Sequence, residues 1–436
     1  MTATLTSFNI LDELKLNVKV DVNPFGLELS DLFDMGARVN PKRSFLFISK
    51  LIGKHLDVQP DVPKATGYLL ANLLVKHLSG AYFSSNMDQL IHLVKTGQFT
   101  QQLKNELSYR YLLPESTLFI GFAETATGLG HAVYSAFDNA FFVHTTREEI
   151  VSATSIFDFE EEHSHAVDHR CYLFDERWIK DAEQIVLIDD EMTTGKTTLN
   201  LIRSLNAVYP KKKYVVLSLL DWRTKVQEQA YAQVETELGV EITTLSLIRG
   251  EIDLAKEAFF SYEGEPVQME VVSYRMIDEP LSQKITHEHI NQGTVEYLAD
   301  TGRFGIPSLL SDFLEEDCKQ VGNKLKEKRM GGRTLVMGVG EFMYLPSRIA
   351  SYMGDGVTHK STTRSPIYPN SMISYPIHDR IAYKDDDGTQ YYMYNMSGKY
   401  DEVFLLFERE PSDRLKQELA SLLHQKGIEH ISLVVL

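Results

Sequence analysis

Ile185-Val186-Leu187-Ile188-Asp189-Asp190-Glu191-Met192-Thr193-Thr194-Gly195-Lys196-Thr197 is the stretch whose reading decides the fold. Four apolar residues read as a strand buried on both faces. Two acids end it, and a Thr/Gly turn leads into a helical run from Thr198 to Val208. A further apolar strand, Tyr214 to Leu220, follows. The same grammar stands upstream, where Thr117 to Gly121 reads as a strand. Gly121 to Gly130 then reads as a small-residue turn and His131 to Phe137 as an apolar-periodic stretch. Alternation of this kind predicts an α/β fold, a mainly parallel sheet with helices on both faces.

Working outward, residues 1–110 mix short strands with helices, including Lys50 to His55 and Ala65 to Ser79, and form a flanking hood. Residues 111–225 are the core, and residues 226–330 a mixed connecting region. Within that region a charged helix from Ser308 to Lys328 ends at Gly331-Gly332. The last domain, 331–436, echoes the core. Thr334-Leu-Val-Met-Gly338-Val-Gly340-Glu341 aligns with Thr117-Leu-Phe-Ile-Gly121-Phe-Ala123-Glu124 at an offset of 217, and Thr362-Thr363-Arg364 aligns with Thr145-Thr146-Arg147 at the same offset. With one inserted residue, Phe407-Glu408 falls on Asp189-Asp190. The expectation is a duplicated unit, a second and degenerate α/β lobe of similar strand order that has lost the first acid.

At 436 residues, 43% of them hydrophobic, the chain can bury substantial cores in two or three domains. A net charge of −17 excludes a broad nucleic-acid surface, which needs clustered Lys and Arg, but not an anionic small ligand held by local amides. Cys171 and Cys318 cannot make a disulfide framework or a CxxC metal site. No run is long and apolar enough to cross a bilayer, and the first two dozen residues lack a signal-peptide pattern. Cytoplasm is the expected compartment, with no membrane partner. Oligomeric state is left open, a homo-oligomer included.

The chemistry concentrates after the strand at Ile185. Asp189 and Asp190 at a strand end can accept hydrogen bonds from neighbouring hydroxyls. Thr193-Thr194-Gly195-Lys196-Thr197 turns into a helix whose amides and hydroxyls can cradle a phosphate, with Gly195 admitting close backbone approach. A P-loop is excluded, because its pattern requires glycine where Asp190 stands. The apolar strand, two acids and Thr-Thr-Gly-x-Thr closely resemble the signature of type I phosphoribosyltransferases for 5-phosphoribosyl 1-pyrophosphate (PRPP). That resemblance implies Asp189 and Asp190 on the ribose hydroxyls and Thr193 to Thr197 on the 5-phosphate. It implies a pyrophosphate loop at Ala123-Glu124-Thr125-Ala126-Thr127, with Arg147 beyond it. Magnesium would be held mainly by PRPP, with Asp189 and Asp190 reaching it through water. A mobile lid is implied between Arg147 and the PRPP strand, where Glu162, His163 and His165 are acid/base candidates. A solvated acidic loop competes with that lid, and the His163, His165, His169 spacing fits no specific zinc template.

Along nearly its full length the chain resembles phosphoribosyltransferases fused to a TRSP domain, found in tellurium-resistance-associated operons. The motif is Thr363-Arg364-Ser365-Pro366, and Arg38 to Arg43 with Ser49 to His55 resemble that group's N-terminal region. Membership implies a PRPP-dependent glycosyltransferase making a nucleoside-like metabolite. The expected reaction passes ribose 5-phosphate to a nitrogen of an unidentified base-like acceptor. A non-catalytic PRPP sensor is the competing class. Asp221-Trp222-Arg223 either holds a flat acceptor or is a buried Trp beside an ion-paired Arg. In the second lobe, Gly340, Glu341, Arg364 and Ser365 are candidates for a residual anion or acceptor site, with a plain scaffold as the alternative.

Overall fold

The apolar runs become two parallel sheets. The computed structural model describes residues 4–40, 43–159, 169–264 and 269–436. Helix α1 (Val62–Ser79) precedes the first sheet. Its parallel strands are β1 (Tyr111–Gly121), β2 (Phe137–His144), β3 (Gln184–Met192), β4 (Lys213–Asp221) and β5 (Glu241–Lys256), in the order β2-β1-β3-β4-β5. An antiparallel ribbon, Thr4–Ile10 with Leu14–Val22, extends the sheet beyond β5. From the switch between β1 and β3, successive connections run in opposite directions. Right-handed crossovers therefore put α2 (Ala126–Tyr134) on one face and α3 (Lys196–Val208) and α4 (Lys225–Leu238) on the other.

The second sheet has β6 (Arg275–Asp278), β7 (Thr334–Gly338), β8 (Val357–Ser361), β9 (Glu402–Phe407) and β10 (His430–Val435), all parallel, in the order β8-β7-β9-β10-β6. Four strands repeat the first sheet's order. The fifth place is taken by β6, which comes before the others in the chain. Helices α5 (Ser311–Glu327), α6 (Tyr344–Ser351) and α7 (Asp413–Gln425) accompany them.

The likeness extends to single bonds. Phe122 N donates to Ile188 O at 3.1 Å, and Val339 N to Leu406 O at 3.2 Å. Thr145 N reaches Gly121 O at 2.9 Å, and Thr362 N reaches Gly338 O at 3.0 Å. Ala123 N donates to Thr145 Oγ1 and Gly340 N to Thr362 Oγ1, both at 2.9 Å. Even the preceding helices correspond. A Cβ on Gly67 of α1 would lie 2.5 Å from the carbonyl carbon of Ala132 in α2, and one on Gly322 of α5 would lie 2.6 Å from the carbonyl oxygen of Ile349 in α6. Ile349 stands 217 residues after Ala132.

A single buried apolar cluster runs from Leu118 and Val186 through to Val336, Phe404 and Val434, so the two lobes share one core. No helix among the described residues is long and apolar enough to cross a membrane.

Two sequence readings change. Lys50 to His55 is a series of bends, not a helix. Gly53 has φ +63°, outside the right-handed helix, and its carbonyl accepts from Ser361 N of β8 at 2.7 Å. The small-residue turn after β1 is only Phe122 to Thr125, because Ala126 to Tyr134 is already helix and Phe137 opens β2. Gly130 lets α2 press on β1, since a Cβ there would lie 3.0 Å from the Gly121 Cα.

Candidate functional site

In an open parallel sheet the ligand crevice forms at the carboxyl ends of strands where their order reverses. Here that point lies between β1 and β3. Asp189 and Asp190 stand in the last residues of β3, partly buried, with Asp190 N donating to Asp189 Oδ1 at 2.9 Å. Burial pushes the Asp189 carboxyl well above its ordinary range, and the neighbouring Asp190 and Glu191 carboxylates push the same way. Glu191 is also raised by burial, despite its 2.6 Å ion pair with Arg43. The strand end is thus a run of three acids, with Arg43 and Arg38 acting on Glu191.

Thr193 and Lys196 are exposed and Thr194 and Thr197 half-buried around the start of α3, where Lys196 N donates to Thr194 Oγ1 at 3.3 Å. Gly195 caps the helix at φ +70°. Packing gives glycine a reason here beyond the ligand approach expected of it. The side on which a Cβ would project is filled by protein, Tyr231 Oη at 2.4 Å and Arg223 Cδ at 2.7 Å, while the Tyr231 hydroxyl donates to Gly195 O at 3.0 Å. Conformation and packing behind the turn demand it.

Across the crevice lies the loop after β1. Glu124 is buried, with Oε2 accepting from Arg364 N at 3.2 Å and Oε1 without a hydrogen-bond partner among the described residues. Burial raises its pKa, against the pull of Lys54, the Arg364 amide and the Arg364 and Arg147 charges. Lys54 is only 8% exposed and its ammonium donates to Thr125 Oγ1. Ala123 is tied to Thr145, as described, and Ala126 and Thr127 form the first turn of α2, with Thr127 Oγ1 donating to Glu124 O at 2.9 Å. Sequence reading assigned Lys54 no role. The contact joins residues 71 apart, and no local spacing announces it.

The mirror contact completes a pseudo-twofold exchange. Arg147 N donates to Glu341 Oε1 at 3.1 Å, and Thr146 Oγ1 to Glu341 Oε2 at 2.7 Å. Each lobe's strand-end glutamate therefore receives the amide of the other lobe's arginine, an isologous arrangement within one chain. The second lobe's own crevice carries a buried cation, beside which a cavity remains. Arg303, 2% exposed, donates from Nη1 to Glu341 at 2.9 Å and from Nη2 to Glu408 at 2.9 Å. Gly340 lies beside this arginine with φ +67°. Ser365 spends its amide on Thr363 Oγ1, and its carbonyl accepts from the Tyr394 hydroxyl. Sequence reasoning missed Arg303 as well, because it lies in the connecting region.

Glu162, His163 and His165 lie outside the described residues. The strands flanking them, Ser155–Phe159 and His169–Tyr172, pair antiparallel, and the buried His169 ring nitrogen Nδ1 lies 3.1 Å from Thr145 Oγ1. Trp222 is 3% exposed and stacks on Phe47 at 5.2 Å, and Arg223 is ion-paired to Asp221 with both buried. This is the buried alternative of the two stated for that triplet. Among the described residues, no group of three or more His, Cys, Asp or Glu side chains is placed to hold a metal ion.

Comparison with known proteins gives the chain its relatives. A family model described as phosphoribosyl transferase matches residues 32–251, and one described as the TRSP domain C-terminal to that transferase matches residues 300–423. None of the curated proteins matches. Similar solved structures include adenine phosphoribosyltransferase from Trypanosoma brucei, in complex with AMP, pyrophosphate and ribose-5-phosphate. It is 12% identical, over 56% of this chain and 86% of that one, with a TM-score of 0.30. The Leishmania tarentolae enzyme is 14% identical over 52% of this chain and 94% of that one, with a TM-score of 0.27. Likeness at that level is too partial to carry a reading of the site. The family match, which takes in the acidic strand end and the loop after β1, carries the assignment: the chain belongs to this phosphoribosyl transferase family and bears its C-terminal TRSP domain.

Proposed function

We propose that the chain transfers ribose 5-phosphate from PRPP to a nitrogen of a base-like acceptor, releasing pyrophosphate, in the making of a nucleoside-like metabolite. The observation that carries this reading is the adjacent Asp189 and Asp190 at the switch-point end of β3, followed within a few residues by the amino end of α3. Paired carboxylates accept from the two ribose hydroxyls, and the amides and hydroxyls of Thr193 to Thr197 receive the 5-phosphate. The loop at Ala123 to Thr127, across the crevice, receives the pyrophosphate end. The bond from C1 to the pyrophosphate oxygen breaks with its electrons leaving on pyrophosphate. A C1–N bond forms on the other face, and the acceptor nitrogen gives up its proton. The chain's own contribution is positioning and charge stabilisation.

The side chains present suit magnesium. Asp189 and Asp190 are hard oxygen donors in a run of three adjacent acids. When bound with the donor, the ion supplies neutralisation of the leaving pyrophosphate.

The deciding experiment is to incubate the chain with PRPP, magnesium and a bacterial metabolite extract, and to identify the consumed acceptor by mass spectrometry. PRPP binding without any acceptor-dependent pyrophosphate release would replace the enzyme with a sensor. The double variant Asp189→Asn, Asp190→Asn is expected to lose at least ~100-fold in turnover, two charge-assisted contacts having gone. Its thermal midpoint should be unchanged or higher, because a crowded acidic run is relieved. Near-normal turnover in that variant would refute the site.

A further inference from the structure

The Thr-Arg-Ser-Pro motif sits in the second lobe, yet its closest engagement is with the first. Arg364 donates its amide to Glu124, and its guanidinium is close enough to act on that carboxyl electrostatically. Lys54 reaches the same loop from the N-terminal region. Among the described residues it has no carboxylate within ion-pair distance, although it is more than nine-tenths buried, and its ammonium is aimed at Thr125. A buried ammonium with a neutral hydroxyl as its hydrogen-bond partner is costly unless an anion completes it. Arg364 also lines a cavity with Arg147 of the first lobe and Glu341, Asp385 and Tyr391 of the second, so it stands at the seam between the two.

We propose that the pyrophosphate subsite of the first lobe is shared between lobes, with Lys54 and Arg364 as its two cationic contacts and the TRSP motif as a working part of the donor site. This rests on the PRPP reading above. Glu124 is the joint that holds the two contributions together. It fixes the backbone of the motif loop through its Oε2. The arrangement gives the fused second lobe a task that its lost acidic pair does not. It brings one arginine to a site it no longer contains.

The test is calorimetric titration of the full chain, with magnesium, against three probes: PRPP, inorganic pyrophosphate and ribose 5-phosphate. Arg364→Ala keeps the amide that Glu124 accepts, so the loop contact survives and only the guanidinium is lost. The expected result is a weakening of about tenfold to hundredfold for PRPP and pyrophosphate, with ribose 5-phosphate affinity within about twofold of the parent as a check on folding. Lys54→Met should show the same split, and Arg364→Lys should recover part of the loss. Parallel weakening of all three probes, or of none, while the parent binds PRPP, overturns the shared subsite alone. Failure of the parent to bind any of the three overturns the PRPP reading, and the shared subsite with it.

Discussion

At the scale of single residues, the turn into α3 separates conformation from charge. Gly195 is held at φ +70° with Tyr231 and Arg223 close behind it, whereas Lys196 is exposed. A side chain in the left-handed region costs about 1–2 kcal/mol, and overpacking against Tyr231 adds to it. Gly195→Val is therefore expected to lower stability by at least about 2 kcal/mol and to abolish ribose 5-phosphate binding, while Lys196→Ala stays within about 0.5 kcal/mol of the parent. Urea unfolding and calorimetry of the two variants would settle their order, and equal effects would show that the turn tolerates a Cβ. The amino-acid letters announced a glycine turn here. They did not announce its reason, since Tyr231 lies 36 residues away in the chain.

Among the elements, the paired helices carry the duplication further than strand order does. α1 meets α2 at Gly67 and α5 meets α6 at Gly322, each with room for no more than hydrogen. Gly67→Ala and Gly322→Ala should each destabilise by about 1–3 kcal/mol, the usual cost of adding a methyl to a filled contact, even though alanine is the better helix former. Guanidinium unfolding of the two single variants tests it. A stabilised variant would mean that the helices have space to separate and that the equivalence is superficial. The sequence pattern located α1, α3, α5 and both central strands, because apolar periodicity is a local property. It misplaced the end of the loop after β1. Small residues read as a turn, while packing against Gly121 makes them helical.

For the molecule as a whole, Arg303 joins the lobes. Its guanidinium contacts Thr146 of the first lobe and Glu341 and Glu408 of the second. Arg303→Met should cost about 3–5 kcal/mol, because it leaves buried carboxylates unpaired. The pH profile follows by sign. Burial works to raise the Glu148 carboxyl, but Arg303 and Arg409 outweigh it and hold it at about 2, below the 4.5 of a free glutamate. Glu341 is lowered in the same way, burial being overcome by Arg303. Groups depressed on folding stabilise the fold above their unfolded pKa and lose that contribution as pH falls through the folded one. The parent should therefore lose stability from about pH 4.5 towards 2, and Arg303→Met should show a flatter decline. Parallel profiles in thermal melts across that range would remove Arg303 as the source.

What the sequence determined by itself is the class of the fold, the acidic strand end with its Thr-Gly turn, and the existence of a second lobe with the first acid replaced. Each is written in contiguous residues, where strand, turn and helix signals are local and an offset of 217 can be counted. What only the tertiary structure decided is who faces whom. Glu124 meets Arg364, Glu341 meets Arg147, Lys54 arrives at Thr125, and Arg303 pairs with Glu341 and Glu408 inside the second lobe. Those pairings depend on how two sheets pack through one shared core, and contacts between residues far apart in the chain leave no periodic trace in it.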